Sequence, residues 1–160
     1  MLRALASILM VFALAACATA RPTGDMKRIA ITFDDIPRGA GRLIERAERA
    51  DMLRTALHEA SVEQAAFFLN PSALQDRPQA IEDILAYVAD GHVVANHSNS
   101  RPRLSQTDAE DYIADIDAAE AWISQINGHR PWFRYPFLDE GADDMAKRDA
   151  CERPSPNAAC

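Results

Sequence analysis

Hydrophobic and polar residues along the chain form short apolar runs that alternate with longer amphipathic stretches. The short runs are rich in β-branched and aromatic residues, and they predict four strands, at 28–33, 64–70, 92–96 and 132–136. The longer stretches repeat apolar residues every three or four positions, and they predict three helices, at 42–60, 79–90 and 105–128. Strands and helices therefore alternate over most of the chain.

This alternation predicts an α/β fold with a parallel sheet and right-handed crossover connections. In such folds the functional side chains gather beyond the carboxyl ends of the strands. Four strands are enough for an open parallel sheet but do not close a barrel. The predicted fold is therefore incomplete, whether it is an open sheet or a partial barrel whose C-terminal strands are missing.

The boundaries of the helices carry their own signals. Gly91 is expected to end the second helix, and Ser105 with Asp108 forms a capping signature that would open the third. The last residues, 151–160, have no apolar periodicity and contain Pro154 and Pro156. They are expected to be a disordered or aberrant tail.

The amino-terminal segment is expected to direct export rather than to fold. An unbroken apolar run from Ala4 to Ala16 follows Arg3, and it is too short for a confident membrane span. Its end, Leu14-Ala15-Ala16-Cys17, resembles the lipobox of bacterial lipoproteins, which implies a lipid on Cys17. A plain signal peptide or an internal helix are the alternatives. The expected organisation is a signal peptide at 1–16, a lipid-anchored tether at 17–27 and an exported protein of the cell envelope, in the outer membrane or periplasm if the cell is Gram-negative.

Length and charge narrow the possible partners. The 160 residues suit one domain, and the composition, 48% hydrophobic and 26% charged, is that of a globular protein. The net charge of −7 argues against nucleic acid, which favours basic surfaces.

Polar residues that can carry chemistry follow the predicted strands. Asp34 and Asp35 end the first strand, and His97 ends the third. A carboxylate and a histidine at neighbouring strand ends are suitable ligands for a divalent metal. Arg134, in the fourth strand, could hold a carboxylate through two parallel hydrogen bonds. A magnesium-dependent phosphatase built on the two aspartates is an alternative, but it gives no role to His97 or Arg134.

Three segments, "ITFDD", "NHSNSRPRLS" and "FRYPFLDEG", occur in order along the chain. Together they resemble the first three motifs of the polysaccharide deacetylases, carbohydrate esterase family 4 or NodB-homology domain, over residues 28–150. The resemblance implies a (β/α) barrel of fewer than eight strands that removes acetyl groups, mainly N-acetyl, from cell-envelope or extracellular polysaccharides.

The resemblance also implies roles for single residues. Asp34 would be the general base and Arg134 would position it, while Asp35 and His97 would bind zinc or another divalent metal such as cobalt or nickel. The main chain near Phe137 would contribute to the oxyanion hole.

The family's third metal ligand falls on Arg101, whose guanidinium stays protonated and has no lone pair to donate. We expect Arg101 to swing out or to pair with Asp35 and substitute for the ion.

The resemblance stops after Ala150, before the family's later motifs, which include a histidine acting as general acid. The sequence therefore predicts a deacetylase of an acetylated glycan, attached to the membrane by its lipid and impaired by Arg101 and by truncation. The alternatives are a non-catalytic glycan-binding pseudoenzyme and a fragment that does not fold.

Overall fold

The computed structural model describes residues 28–152, which form a sheet of four parallel strands in the order β1-β2-β3-β4. The strands are β1 (Thr32–Ile36), β2 (Ala66–Leu69), β3 (Val93–Asn96) and β4 (His129–Phe133). The predicted α/β class and parallel sheet are confirmed. The predicted signal peptide, the tether with Cys17 and the tail beyond residue 152 lie outside the described residues.

Helices connect and flank the strands. They are α1 (Arg46–Glu59), α2 (Ala73–Asp76), α3 (Ile81–Ala89), α4 (Ala109–Ile123) and α5 (Met145–Cys151). Short 3₁₀ turns lie at Pro78–Ala80, Leu104–Gln106 and Pro136–Leu138. Within residues 28–152 no helix combines the length and apolarity needed to cross a membrane.

Both faces of the two central strands are buried, as expected for a parallel sheet. On one face Phe67 and Leu69 of β2 pack with Ile84 of α3 and Ile123 of α4, all of which are buried. The Phe67 ring stacks on Tyr87 with ring centres 4.1 Å apart. This core fixes the strands, and therefore the loops that leave their carboxyl ends.

The first and last strands differ in position from the prediction. β1 begins at Thr32 because that residue pairs with Ala66, and the register then shifts before Ile36 pairs with Leu69. As a result Asp34 and Asp35 lie inside β1 rather than after it. β4 runs from His129 to Phe133, so Arg134 follows that strand instead of lying within it.

The predicted start of the third helix was wrong. Asp108, not Ser105, precedes α4, and its side chain makes no capping hydrogen bond. The Ser105 hydroxyl instead donates to Asp139, at 2.5 Å, because Ser105 lies in a separate 3₁₀ turn. Near the tail, Cys151 is the last residue of α5, a helix whose first turn is capped by the Asp144 side chain accepting from Lys147 N–H.

Candidate active site

The residues singled out in the sequence meet at the carboxyl edge of the sheet. Asp34 and Asp35 come from β1, His97 directly follows β3 and Arg134 directly follows β4. Parallel strands place their carboxyl ends at one edge, so side chains distant in sequence come together there.

Arg134 holds Asp34. Its Nη1 donates to Asp34 Oδ1 at 2.8 Å and to Thr32 Oγ1 at 2.8 Å. Its guanidinium lies over the Phe68 ring, 4.1 Å from the ring centre, a cation–π contact. The expected pair of parallel hydrogen bonds to Asp34 is therefore wrong: one nitrogen serves both Asp34 and Thr32. Asp34 remains 37% exposed, so the carboxylate is oriented yet accessible to a ligand.

His97 is almost fully buried, and one of its nitrogens is committed to the backbone. Nδ1 lies 2.9 Å from the Arg134 carbonyl oxygen. A carbonyl only accepts, so Nδ1 carries the proton, and a neutral ring has its lone pair on Nε2. Burial lowers the pKa of His97, which favours that neutral ring, although the Arg134 carbonyl and both aspartates act in the opposite direction. Nε2 lies 3.5 Å from Asp35 Oδ1.

Arg101 takes the second of its two expected placements and pairs with Asp35. Its Nε lies 2.5 Å from Asp35 Oδ1, the same oxygen that faces His97. The guanidinium also lies over the Phe137 ring at 4.4 Å, and Arg103 lies over the same ring at 3.9 Å. On its other side the Asp35 carboxylate has Arg38, whose Nη2 is 3.7 Å from Oδ2.

The backbone around these residues adopts left-handed conformations that are uncommon outside glycine. Positive φ angles occur at Asp35 (60°), Ser98 (62°), Arg101 (67°) and Phe137 (60°). Such residues persist where surrounding contacts hold them, and they concentrate at functional sites.

The contacts that hold the Arg101 loop come from two neighbouring elements. Asn96 Oδ1, in β3, accepts from Ser98 N–H at 2.8 Å, and Ser98 Oγ accepts from Arg101 N–H at 3.1 Å. Asp115, in α4, accepts from Asn99 N–H at 2.8 Å and from the Ser100 hydroxyl at 2.7 Å. The loop conformation is therefore set by side chains other than that of Arg101.

The side chains present do not fit a catalytic zinc ion. Asp35 and His97 offer one oxygen and one nitrogen, whereas a catalytic zinc site normally has three protein ligands. Arg101, a cation, contacts Asp35 at that point. Across residues 28–152 no group of three or more His, Cys, Asp or Glu side chains is arranged to hold a metal ion.

Several residues that contribute to this edge of the sheet were not identified from the sequence. Thr32 shares Arg134 with Asp34, and its position two residues earlier in a strand places it on the same face. Asn70 follows β2, and its Nδ2 donates to the carbonyls of His97 and Ser98, so the residue after β2 supports the loop after β3. Arg38 and Arg77 also lie beside Asp35, but no sequence motif marks them.

A family model described as polysaccharide deacetylase matches residues 21–150, most of the chain. The chain belongs to the polysaccharide deacetylase family. A curated member from Bacillus cereus, a peptidoglycan-N-acetylglucosamine deacetylase, is 28% identical over 120 residues, which are 74% of this chain and 39% of the relative.

Solved structures of the family share the fold. Peptidoglycan deacetylase PdaC from Bacillus subtilis, as a mutant, superimposes with a TM-score of 0.58 at 26% identity, over 79% of this chain and 56% of that chain. The chitin deacetylase of Colletotrichum lindemuthianum gives a TM-score of 0.58 at 26% identity, over 76% and 50%.

A third neighbour shows the fold alone. A family 4 pseudoenzyme from Bacillus anthracis has a TM-score of 0.58 at 18% identity, and it is covered over 37% of its length. The chain thus spans about half or less of the relatives it matches, which agrees with four strands of a partial (β/α) barrel.

Proposed function

We propose that this chain binds an acetylated polysaccharide of the cell envelope at the edge formed by Asp34, Asp35, His97 and Arg134, and that Arg101 has removed most or all hydrolysis. The observation that carries this proposal is the 2.5 Å contact between Arg101 Nε and Asp35 Oδ1. Asp35 and His97 are two ligands, which is too few to retain a metal ion. Arg101 supplies to Asp35 the positive charge that a metal ion would otherwise provide.

The remaining polar groups suit recognition of an acetamido group. Asp34 can accept a hydrogen bond from a sugar hydroxyl or an amide N–H, and Arg134 keeps its carboxylate in a fixed orientation. Phe137 is 44% exposed at this edge of the sheet although Arg101 and Arg103 lie over its ring, so a sugar can contact the part of the ring that the two guanidiniums leave open. The main-chain N–H near Phe137 is proposed to contact the acetyl oxygen.

The relatives of this chain support a glycan as its ligand. The Bacillus cereus relative is named for its action on peptidoglycan N-acetylglucosamine. We extend this ligand class to the present chain, which we place in the cell envelope, attached through lipidated Cys17.

The test compares the wild-type chain with Arg101→His for bound zinc, by elemental analysis, and for acetate release from N-acetylglucosamine oligomers. We expect the wild type to hold far less than one zinc per chain, and Arg101→His to approach about one because it supplies a third ligand. Acetate release should rise with the zinc content.

Arg103→His is the matched control, since Arg103 contacts the same Phe137 ring but lies farther along the loop. It should leave zinc content unchanged. If the wild type binds one zinc per chain and turns over as fast as Arg101→His, the proposed loss of hydrolysis is wrong.

A second candidate function is retained metal-dependent deacetylation. The observation in its favour is that Asp34 keeps its contact with Arg134, and His97 keeps its Nε2 3.5 Å from Asp35. The same experiment decides, because this candidate requires zinc and acetate release in the wild type.

A further inference from the structure

A cavity of about 270 Å³ opens beside Asp35, between the loops that follow β1, β2 and β3. Four of the side chains that line it are charged: Asp35, Arg38, Arg77 and Arg101. Three positive charges thus face one negative charge within a single cavity, in a chain whose net charge is −7.

The one carboxylate does not neutralise all three arginines. Asp35 is engaged by Arg101 through Oδ1 and approached by Arg38 through Oδ2 at 3.7 Å. Arg77 has no carboxylate partner among residues 28–152, and its Nη2 donates to the Pro37 carbonyl at 3.2 Å.

Arg77 also keeps an unused donor. Its Nε is buried and has no hydrogen-bond partner within the described part of the chain. A buried donor without a partner is unfavourable, so such a group marks a place where a ligand can be accommodated. A Cβ added at Gly39 would lie 3.4 Å from Arg77 Nη1, so the glycine at this position leaves space beside the guanidinium.

We infer that this cavity binds an oxyanionic substituent of the glycan, a carboxylate or a phosphate, through Arg38, Arg77 and the outer nitrogens of Arg101. Guanidinium groups suit planar carboxylates and phosphates, which they can bind through paired N–H donors. Ser72, which also lines the cavity, adds a small polar side chain to its wall. This inference rests on the proposed function, and it narrows the ligand from an acetylated glycan to an acidic one.

The experiment titrates the full chain, by calorimetry, with two tetrasaccharides of equal length. One is the neutral N-acetylglucosamine tetramer, and the other alternates N-acetylglucosamine with N-acetylmuramic acid, which carries a lactyl carboxylate. N-acetylglucosamine 1-phosphate, compared with N-acetylglucosamine, tests phosphate as the source of the oxyanion. We expect the carboxylate ligand, the phosphate ligand or both to bind at least about ten-fold more tightly than the matching neutral sugar, because charge-assisted hydrogen bonds are stronger than neutral ones.

Arg38→Gln and Arg77→Gln should each remove most of this preference while leaving the affinity for the neutral tetramer within about two-fold. Arg38 is 53% exposed, so its variant should fold even if Arg77→Gln does not, and a thermal melt checks both. Arg130→Gln is the matched control: Arg130 lies near the amino end of β4, and among residues 28–152 the hydrogen-bond partner of its side chain is the neighbouring His129 carbonyl.

Equal affinity for acidic and neutral ligands, or a preference that survives Arg38→Gln, would overturn the oxyanion site and leave glycan binding intact. Binding of neither tetrasaccharide would instead overturn the proposed function, and the oxyanion site with it.

Discussion

Arg101 Nε and Asp35 Oδ1 lie 2.5 Å apart, and the same carboxylate oxygen faces His97 Nε2 at 3.5 Å. A fixed positive charge therefore lies at the position where the resemblance of the sequence motifs had predicted a third metal ligand. The contact with Asp35 is held by a loop in which Arg101 has a φ of 67°.

The backbone at position 101 gives a prediction for stability. Arg101→Gly and Arg101→Ala both remove the guanidinium, but only glycine adopts the left-handed conformation at little steric cost. We expect the glycine variant to be more stable than the alanine variant by about 1 kcal/mol, measured as the free energy of unfolding in urea. At Ser100, which has no positive φ, alanine should be the more stable of the same two substitutions. Alanine matching or exceeding glycine at position 101 would show that the loop relaxes when Arg101 is lost.

Asp34 is expected to be required for hydrolysis only in a variant whose residue 101 can bind a metal ion, such as Arg101→His. In an Arg101→His background, Asp34→Asn is expected to lower acetate release by roughly 10²- to 10⁴-fold, the usual contribution of a general base. Zinc content of the double variant should stay that of Arg101→His, because Asp34 is not the proposed ligand. Loss of zinc together with activity would reassign Asp34 from base to ligand.

His92 should make the fold sensitive to acid. It is 4% exposed, its Nδ1 accepts from Ala65 N–H at 3.3 Å, and burial lowers its pKa below the usual 6.5. The unfolded chain then binds the proton more readily, so the stabilisation is fully present above pH 6.5 and is lost as the pH falls through the folded-state pKa.

Urea unfolding between pH 7.5 and 5 should therefore show a smaller acid-induced loss in His92→Asn, whose side-chain oxygen can still accept from Ala65. His58→Asn, at the exposed end of α1, is the control and should follow the wild type. If both variants lose stability as steeply as the wild type, His92 is not the group responsible.

Cys17 carries a prediction made from sequence alone. If its thiol receives diacylglycerol, Cys17→Ser should abolish incorporation of labelled palmitate and shift the protein from the membrane fraction, since two acyl chains are needed for stable anchoring. Retained label in Cys17→Ser would place the lipid elsewhere or show that the processing is different.

The sequence predicted the order of strands and helices because β2 and β3, buried on both faces, appear as continuous apolar runs, whereas the helices, buried on one face, show apolar residues every three or four positions. It located β1 too early because alternation alone does not determine which residue lies opposite Ala66. It misplaced the start of α4 because Ser105, although spaced correctly from Asp108, bonds to Asp139 from a distant part of the chain.

The site was predictable to the extent that motifs mark it. Asp34, Asp35, His97 and Arg134 come together because all four lie in or next to strand ends of one parallel sheet. Arg77 could not be found in this way, since it lies directly after α2, outside every motif, and its place in the cavity is fixed by a hydrogen bond from Nη2 to the distant Pro37 carbonyl. Arg134 donates to both Asp34 and Thr32 because of the side-chain angles in the folded protein, and the spacing of these residues in the sequence does not determine those angles.

The hydrogen bonds from Asn96 and Asp115 shape the turn around Arg101 without using its side chain, and this has an evolutionary consequence. Each histidine codon is one transition away from an arginine codon, so a single base change can exchange histidine for arginine at this position while the turn keeps its form. Under the proposed function, hydrolysis and glycan recognition would be separable traits on one scaffold, and the first could be lost while the turn that carries residue 101 keeps its shape.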